Sequence, residues 1–159
     1  MTTHDGETAG SREYLTFRLG AEEYGIDILK VQEIRRYDRP TQITGTPAFM
    51  RGVIDLRGLI VPIVDLRMKF ALAESHYDDF TVTIILNIAN HVVGVVVDLV
   101  SDVITLAPDE VKAMPELGSA IDRRFHTGIG RLGERMIILV DIEQLMTSED
   151  MQMIATVAA

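Results

Sequence analysis

Gly128-Ile-Gly-Arg-Leu-Gly133 has the G-x-G-x-x-G spacing with which backbone N–H groups cradle a dinucleotide pyrophosphate. That chemistry needs the glycines between a strand and a helix whose N-terminus faces the phosphate. Here Glu134-Arg-Met-Ile-Ile-Leu-Val140 follows, which reads as a strand. The motif is therefore a glycine-rich hairpin turn, and no cofactor is expected. The four histidines (His4, His76, His91, His126) fall in the N-terminal tail or in expected loops and turns. None has H-x-x-x-H or H-E-x-x-H spacing, so no metal site is expected. Cysteine is absent, which removes disulfides, thiolate nucleophiles and Cys-ligated metals. No serine occupies G-x-S-x-G, and the scattered acids show no pairing that favours glycoside chemistry. No catalytic residue is assigned.

What remains is chemistry of recognition. Gly52–Phe70 and Gly128–Met146 share one rhythm: strand, tight turn, strand, start of a helix. Gly52/Gly128, Leu56/Leu132, Val64/Val140 and Asp65/Asp141 are identical, and most other matched positions exchange one apolar residue for another. Asp65 and Asp141 are placed to cap the helices that follow, by accepting from free backbone N–H groups. Their recurrence makes that shared structural role a better reading than a catalytic pair. The tip of the first hairpin is different, because Arg57-Gly58 stands where the second copy has Gly133-Glu134. A fold requirement would recur in both copies, and this arginine does not. At a turn tip it projects a rigid fork of donors suited to a partner's carboxylates, against the plainer reading of a solvated surface arginine.

The 159-residue chain suits one domain or two small lobes. With 47% apolar and 25% charged residues it has the balance of an ordinary globular protein. A net charge of −9 argues against nucleic-acid binding, which needs a basic footprint. No apolar run approaches the roughly 18 residues of a membrane span, and the polar, acidic N-terminus is unlike a signal peptide, so a cytoplasmic location is expected.

Along the chain, residues 1–13 read as a disordered tail. Tyr14–Leu19 and Tyr24–Ile28 read as a hairpin, with Leu15, Phe17 and Leu19 on one side of its first strand. Leu29–Ile34 fits a strand or a single helical turn, and periodicity does not separate them. Thr46 and Pro47 fit the cap and first position of a helical turn over Pro47–Met50. Ala71–Phe80 is the expected link between halves. Thr81–Ile88 and Val92–Val97 repeat the first hairpin, with Gly25/Gly94, Val31/Val100 and Glu33/Asp102 matched. Asp102–Leu106 leads to a short turn or helix at Pro108–Lys112, and Asp141–Val157 has a helical pattern. Short, evenly spaced strands predict a mainly β fold of two small barrels. A barrel of about 60 residues is marginal alone, so two packed barrels burying a third apolar layer would explain the duplication.

These motifs resemble the CheW family of bacterial chemotaxis adaptors. The resemblance rests on Glu23–Arg35, Pro47–Phe49, Arg51–Gly58, Ile60–Arg67, Gly94–Val103 and Ile138–Ile142, in order across about residues 14–155. It implies two SH3-like five-stranded β-barrel subdomains packed together, with short helices and a C-terminal helix. Residues 14–79 would form the first half of a single domain and 80–159 the second. It further implies a non-enzymatic adaptor that binds the cytoplasmic tip of chemoreceptors (methyl-accepting chemotaxis proteins) and the regulatory domain of the histidine kinase CheA, with self-association in arrays. Carried over by motif, Val31, Glu33, Arg51, Gly52, Arg57 and Gly58 look like partner-facing positions, and Leu117 falls in the loop associated with a second kinase contact. The family often has glycine after Glu-Ile-Arg, where this chain has Arg36. With no receiver or kinase module in the chain, a free-standing adaptor is expected. An adaptor of a non-flagellar chemosensory pathway fits the same motifs. A small β-barrel enzyme or ligand binder rests only on the scattered Asp, Glu and His.

Overall fold

A computed structural model describes residues 10–69, 76–113 and 126–145. Strand β1 (Arg12–Leu19) is buried on both faces along its centre. Leu15, Phe17 and Leu19 point one way, and Thr16, also fully buried, points the other. The strand starts at Arg12, two residues inside the stretch read as tail. It pairs with β2 (Glu22–Asp27) around the Gly20 turn. The ambiguous segment after it is both things in succession: a 3-10 turn at Ile28–Lys30, then strand β3 (Val31–Arg36). The Asp27 carboxylate starts that turn by accepting from the Leu29 N–H at 2.9 Å. At Pro47 there is a single turn closed by the Met50 N–H to the Pro47 carbonyl. Thr46 does not cap it, because its hydroxyl donates to the Ile43 carbonyl instead.

Then come β4 (Met50–Leu56), β5 (Leu59–Asp65) and helix α1 (Leu66–Lys69), followed by β6 (Val82–Ile88) and β7 (His91–Val97). β8 (Leu99–Leu106), a 3-10 turn at Pro108–Glu110, β9 (Val111–Lys112), β10 (His126–Leu132), β11 (Arg135–Val140) and α2 (Ile142–Leu145) complete the described fold. His91 and His126 therefore begin strands and are not loop residues. Both proposed caps are real: Asp65 accepts from the Arg67 N–H, and Asp141 from the N–H groups of Glu143 and Gln144.

The strands form a six-stranded sheet, in order β8-β1-β2-β11-β10-β9, and a five-stranded sheet, in order β3-β6-β7-β5-β4. They do not follow the two sequence halves. β1 and β2 from the first half lie among the strands of the second, and β6 and β7 cross the other way. The duplication accounts for this exchange, because each copy hands its first hairpin to the other copy's sheet. The parallel pairs β2/β11 and β5/β7 are the seams where the copies meet.

Both sheets close, and in the same manner. β3 carries a bulge at Gln32, runs on past Arg36, and bridges back to β4 through paired Thr41 and Val53. β8 carries the matching bulge at Ser101 and returns through β9 to pair with β10. Each closure brings a backbone carbonyl against the duplicated glycine of the first hairpin strand. A Cβ on Gly52 would lie 2.0 Å from the Thr41 carbonyl oxygen, and one on Gly128 would lie 2.8 Å from that of Lys112. The apolar residues then sort into three layers. Leu56, Val61, Ile63, Ile85 and Val96 fill the five-stranded barrel, and Ile104, Leu106, Ile137 and Leu139 the six-stranded one. Between them, Leu15, Phe17, Tyr24 and Ile26 meet Ile84, Leu86, Val93 and Val95, the shared third layer expected from the duplication.

Gly52→Ala is expected to destabilise the fold by at least about 2–3 kcal/mol in urea denaturation, because φ of +137° and the Thr41 carbonyl both oppose a side chain. Gly58→Ala, where φ is +89° and nothing lies within 4 Å, should cost only about 1 kcal/mol. Equal losses would mean that the carbonyl approach is not what requires Gly52.

Candidate functional site

The β4–β5 turn is the most exposed part of the sequence-derived site. Arg57 and Gly58 both have positive φ, 53° and 89°, as a two-residue type I′ hairpin requires. The Asp55 carboxylate fixes the turn by accepting from the Gly58 N–H at 2.7 Å. An L side chain in this left-handed region costs roughly 1–2 kcal/mol. The second hairpin avoids that cost by placing Gly133, φ 64°, at the matched position. Arginine is thus held where the backbone prefers glycine.

Arg57 reaches across the barrel closure to β3. Its Nη2 lies 2.6 Å from Oε1 of Glu33, whose other oxygen takes a 3.3 Å contact from Arg35 Nη1. These are bonds at a wet surface, since the Arg57 side chain is 69% exposed. The Arg57 hydrogen bond, and then that of Arg35, holds the Glu33 carboxyl below its ordinary pKa. Two arginines on one carboxylate leave a net positive charge, and most of the Arg57 donor fork faces solvent.

The second barrel contains a counterpart that sequence comparison of the copies does not reveal. Asp102, matched to Glu33 in the repeat, is gripped by Arg135: Nη1 to Oδ2 at 3.0 Å and Nη2 to Oδ1 at 2.9 Å. Arg135 also holds Glu23 at 2.7 Å, and the buried Thr16 hydroxyl donates to Asp102 at 2.6 Å. The hydrogen bonds from Arg135 and Thr16 bring the Asp102 pKa down to about 2. So an acid–arginine clasp does recur across both closures, but from an arginine two places further along the hairpin. Arg57 therefore has a structural counterpart after all, in Arg135. What is particular to Arg57 is its exposure and single clasp, against an Arg135 engaged by two carboxylates.

The other expected site residues divide. Val31 is half-buried and packs against the central apolar layer, with Glu33 beyond the bulge at Gln32. Gly52 is buried at the closure, against the Thr41 carbonyl. Arg51, at the β4 bulge, leans away from Arg57 toward a second cluster. Its guanidinium carbon lies 5.7 Å from the centre of the Tyr77 ring, its Nη1 contacts Met68 Sδ at 3.8 Å, and its buried Nε has no hydrogen-bond partner among the described residues. Leu117 lies outside the described residues. Ile34, an edge position whose apolar character also fits the core, is 44% exposed beside Glu33 on β3, and half-buried Arg35 follows it. Tyr77, inside the stretch expected to link the halves, stacks on Tyr37 at 4.3 Å, and nothing in its spacing marks it out. Among the described residues no group of His, Asp and Glu side chains is placed to hold a metal ion, and no helix is long and apolar enough to cross a membrane.

Residues 13–150 match the family model described as CheW-like domain. The chain is similar to the chemotaxis protein CheW of Klebsiella aerogenes, 56% identical over 153 residues, covering 96% of this chain and 92% of that one. It is also similar to the chemotaxis protein CheW of Rhizobium meliloti, 34% identical over 143 residues, covering 90% and 92% of the two chains. Among solved structures, the scaffolding protein TtCheW from Thermoanaerobacter tengcongensis superposes with a TM-score of 0.79 at 31% identity, covering 87% of this chain and 94% of its own.

Asp102 supplies a test of the second clasp. Because its pKa falls from 3.8 to about 2 on folding, the stabilisation that depends on its charge is complete above about pH 4. It is lost as pH falls through 2. Asp102→Asn should therefore flatten the fall of stability between pH 4 and pH 2, followed by urea unfolding at each pH. An acid limb identical to that of the parent protein would show that the Arg135 clasp contributes nothing.

Proposed function

The chain belongs to the CheW family, and from that premise we propose that it is a non-enzymatic scaffold coupling chemoreceptor cytoplasmic tips to the histidine kinase CheA. The match along nearly the whole chain to chemotaxis CheW proteins, and to a structure described as a scaffolding protein, is the observation that carries this reading. It works on the cytoplasmic side and is recruited to membrane receptor arrays. Its partner-facing surface comprises Val31, Glu33, Arg51, Arg57 and Gly58, with Gly52 buried behind them to shape the strand that carries Arg51. Leu117 serves a separate contact with the kinase.

The physical support for that surface is the Arg57 turn. A left-handed arginine is disfavoured and its twin position holds glycine, so although both closures carry a clasp, the fold does not call for its arginine at this exposed turn position. Its open fork fits a carboxylate on a helical receptor tip or on the kinase. The scaffold acts by mass action: holding receptor and kinase together raises the effective concentration of each at the other. Receptor control of the kinase then requires unequal affinity of the assembly for the kinase's active and inactive states.

Mixing this chain with a receptor cytoplasmic fragment and CheA should give a ternary complex that co-sediments and changes kinase activity. Neither outcome appearing would overturn the reading. Arg57→Glu should weaken the partner contact by about ten-fold or more and make the residual binding less salt-sensitive. Its melting temperature should move by no more than a few degrees, because an exposed ion pair contributes only about 0–1 kcal/mol. A collapsed melting temperature with unchanged binding would make Arg57 a structural residue.

A further inference from the structure

Among the described residues the chain passes between the two barrels at two places, and the crossings are internal copies of each other. β2 reaches β3 through Ile28–Lys30, and β7 reaches β8 through Asp98. Asp98 matches Leu29 in the repeat, and Arg67 of α1 matches Glu143 of α2. In both, a charged residue of the crossing is tied to the helix that follows the central parallel strand. The sign is reversed, acid on base at one crossing and base on acid at the other.

The two ties differ in their surroundings. Asp98 Oδ1 lies 3.0 Å from Arg67 Nη1, and its Oδ2 accepts from the Gly20 N–H at 2.7 Å. Its own N–H donates to the Arg18 carbonyl. One end of this tie is therefore the β1–β2 hairpin, and the other is a guanidinium only 2% exposed, already held by the fully buried Asp65. Opening it would expose or strand a charge. At the other crossing, Lys30 Nζ meets Glu143 Oε2 at 2.9 Å with side chains 36% and 43% exposed. The 3-10 turn contributes no fully buried residue: only half-buried Ile28 packs on the central layer, and Leu29 is 86% exposed. A cavity of about 430 Å³ lined by Lys30, Glu143, Asp27 and Asp141 adjoins the pair, so water reaches it from that side too.

We propose that the Ile28–Lys30 crossing is the joint at which this fold opens locally, latched by the Lys30–Glu143 pair, while the Asp98 crossing stays shut. Local opening is drawn from parts of a structure with few buried contacts and exposed backbone hydrogen bonds, which describes this turn. The joint runs without interruption into Val31 and Glu33. Resting on the reading of those residues as partner-facing, occupancy of β3 is coupled to closure of the latch, and so to α2 on the opposite barrel. Coupling of this kind is reciprocal: what tightens the latch strengthens the partner, and the reverse.

Amide hydrogen exchange on the full chain tests this. The Leu29 and Val31 amides should exchange at least about ten-fold faster than those of Asp98 and Gly20. Glu143→Gln, or about 1 M salt, should speed the first pair by about two- to five-fold, as expected for losing an exposed ion pair, and leave the second pair unchanged. Equal protection at both crossings, or indifference of Leu29 and Val31 to both perturbations, would overturn the joint. Adding receptor cytoplasmic fragment to the parent protein should slow Leu29 and Val31, and Glu143→Gln should bind it about two- to five-fold more weakly. Binding without either change would overturn the coupling while leaving the joint. Fast, salt-sensitive exchange in a protein that binds no receptor would remove the scaffold reading, and the coupling with it, but not the joint.

Discussion

Arg67 carries a full positive charge in a side chain that is 2% exposed, and the join between the barrels is arranged around keeping it charged. Asp65, fully buried, meets the guanidinium side-on with two 3.0 Å contacts, and Asp98 and the His76 carbonyl take a third nitrogen. The Tyr77 hydroxyl satisfies the second Asp65 oxygen at 2.6 Å, while its ring lies 4.9 Å from the guanidinium. Burial alone would lower the arginine pKa, but the two carboxylates outweigh it and hold the pKa above the ordinary value. Such a pair adds little net stability, because desolvation costs several kcal/mol per ion. Its effect is on uniqueness: any other placement of β5, α1, the Tyr77 segment or Asp98 would leave a buried charge unmatched.

That constraint belongs to one copy of a duplicated design. Asp141, the twin of Asp65, caps α2 in the same way but faces Glu143 where Asp65 faces Arg67. The cap is what folding the repeat requires, and the buried network was built on it only once. The same division runs through both closures. Gly52 and Gly128 admit a carbonyl at the bulge, and Glu33 and Asp102 are each clasped by an arginine. Conformational and electrostatic requirements recur, while the residue meeting them is free to move along the strand.

Sequence periodicity was enough for the strands, including the one that follows Gly128–Gly133, the two caps and the third apolar layer. These depend on local backbone preference and on alternation, which a linear text carries. The exchange of hairpins between barrels was not legible, because parallel contacts such as Ile63 with Gly94 join residues whose own stretches are equally apolar on every side. Arg67 and Tyr77 were also missed. A buried guanidinium and an exposed one look the same in sequence, and the network is assembled from residues 65, 67, 77 and 98, with no fixed spacing to notice. Gly52 carries a structural requirement that is hidden for the opposite reason. It lies inside the motif that resembles partner-binding positions, yet its role is set by a carbonyl from Thr41, eleven positions earlier in the chain.

The two clasps differ in how open each is to an incoming carboxylate. Arg135 arises from within β11, has two carboxylates in hand and is 36% exposed, so a partner would have to displace bonds already made. Arg57 arises from a left-handed turn residue, is 69% exposed and spends one contact on Glu33. Glu33 in turn is shared with Arg35, so drawing Arg57 toward an outside carboxylate would leave Glu33 a partner. The exchange of one acid for another then needs little uncompensated charge at any step, which favours rapid and reversible contact. The backbone strain at residue 57 and the sharing of Glu33 thus belong to one arrangement: the turn places the arginine outward, and β3 keeps its resting position defined.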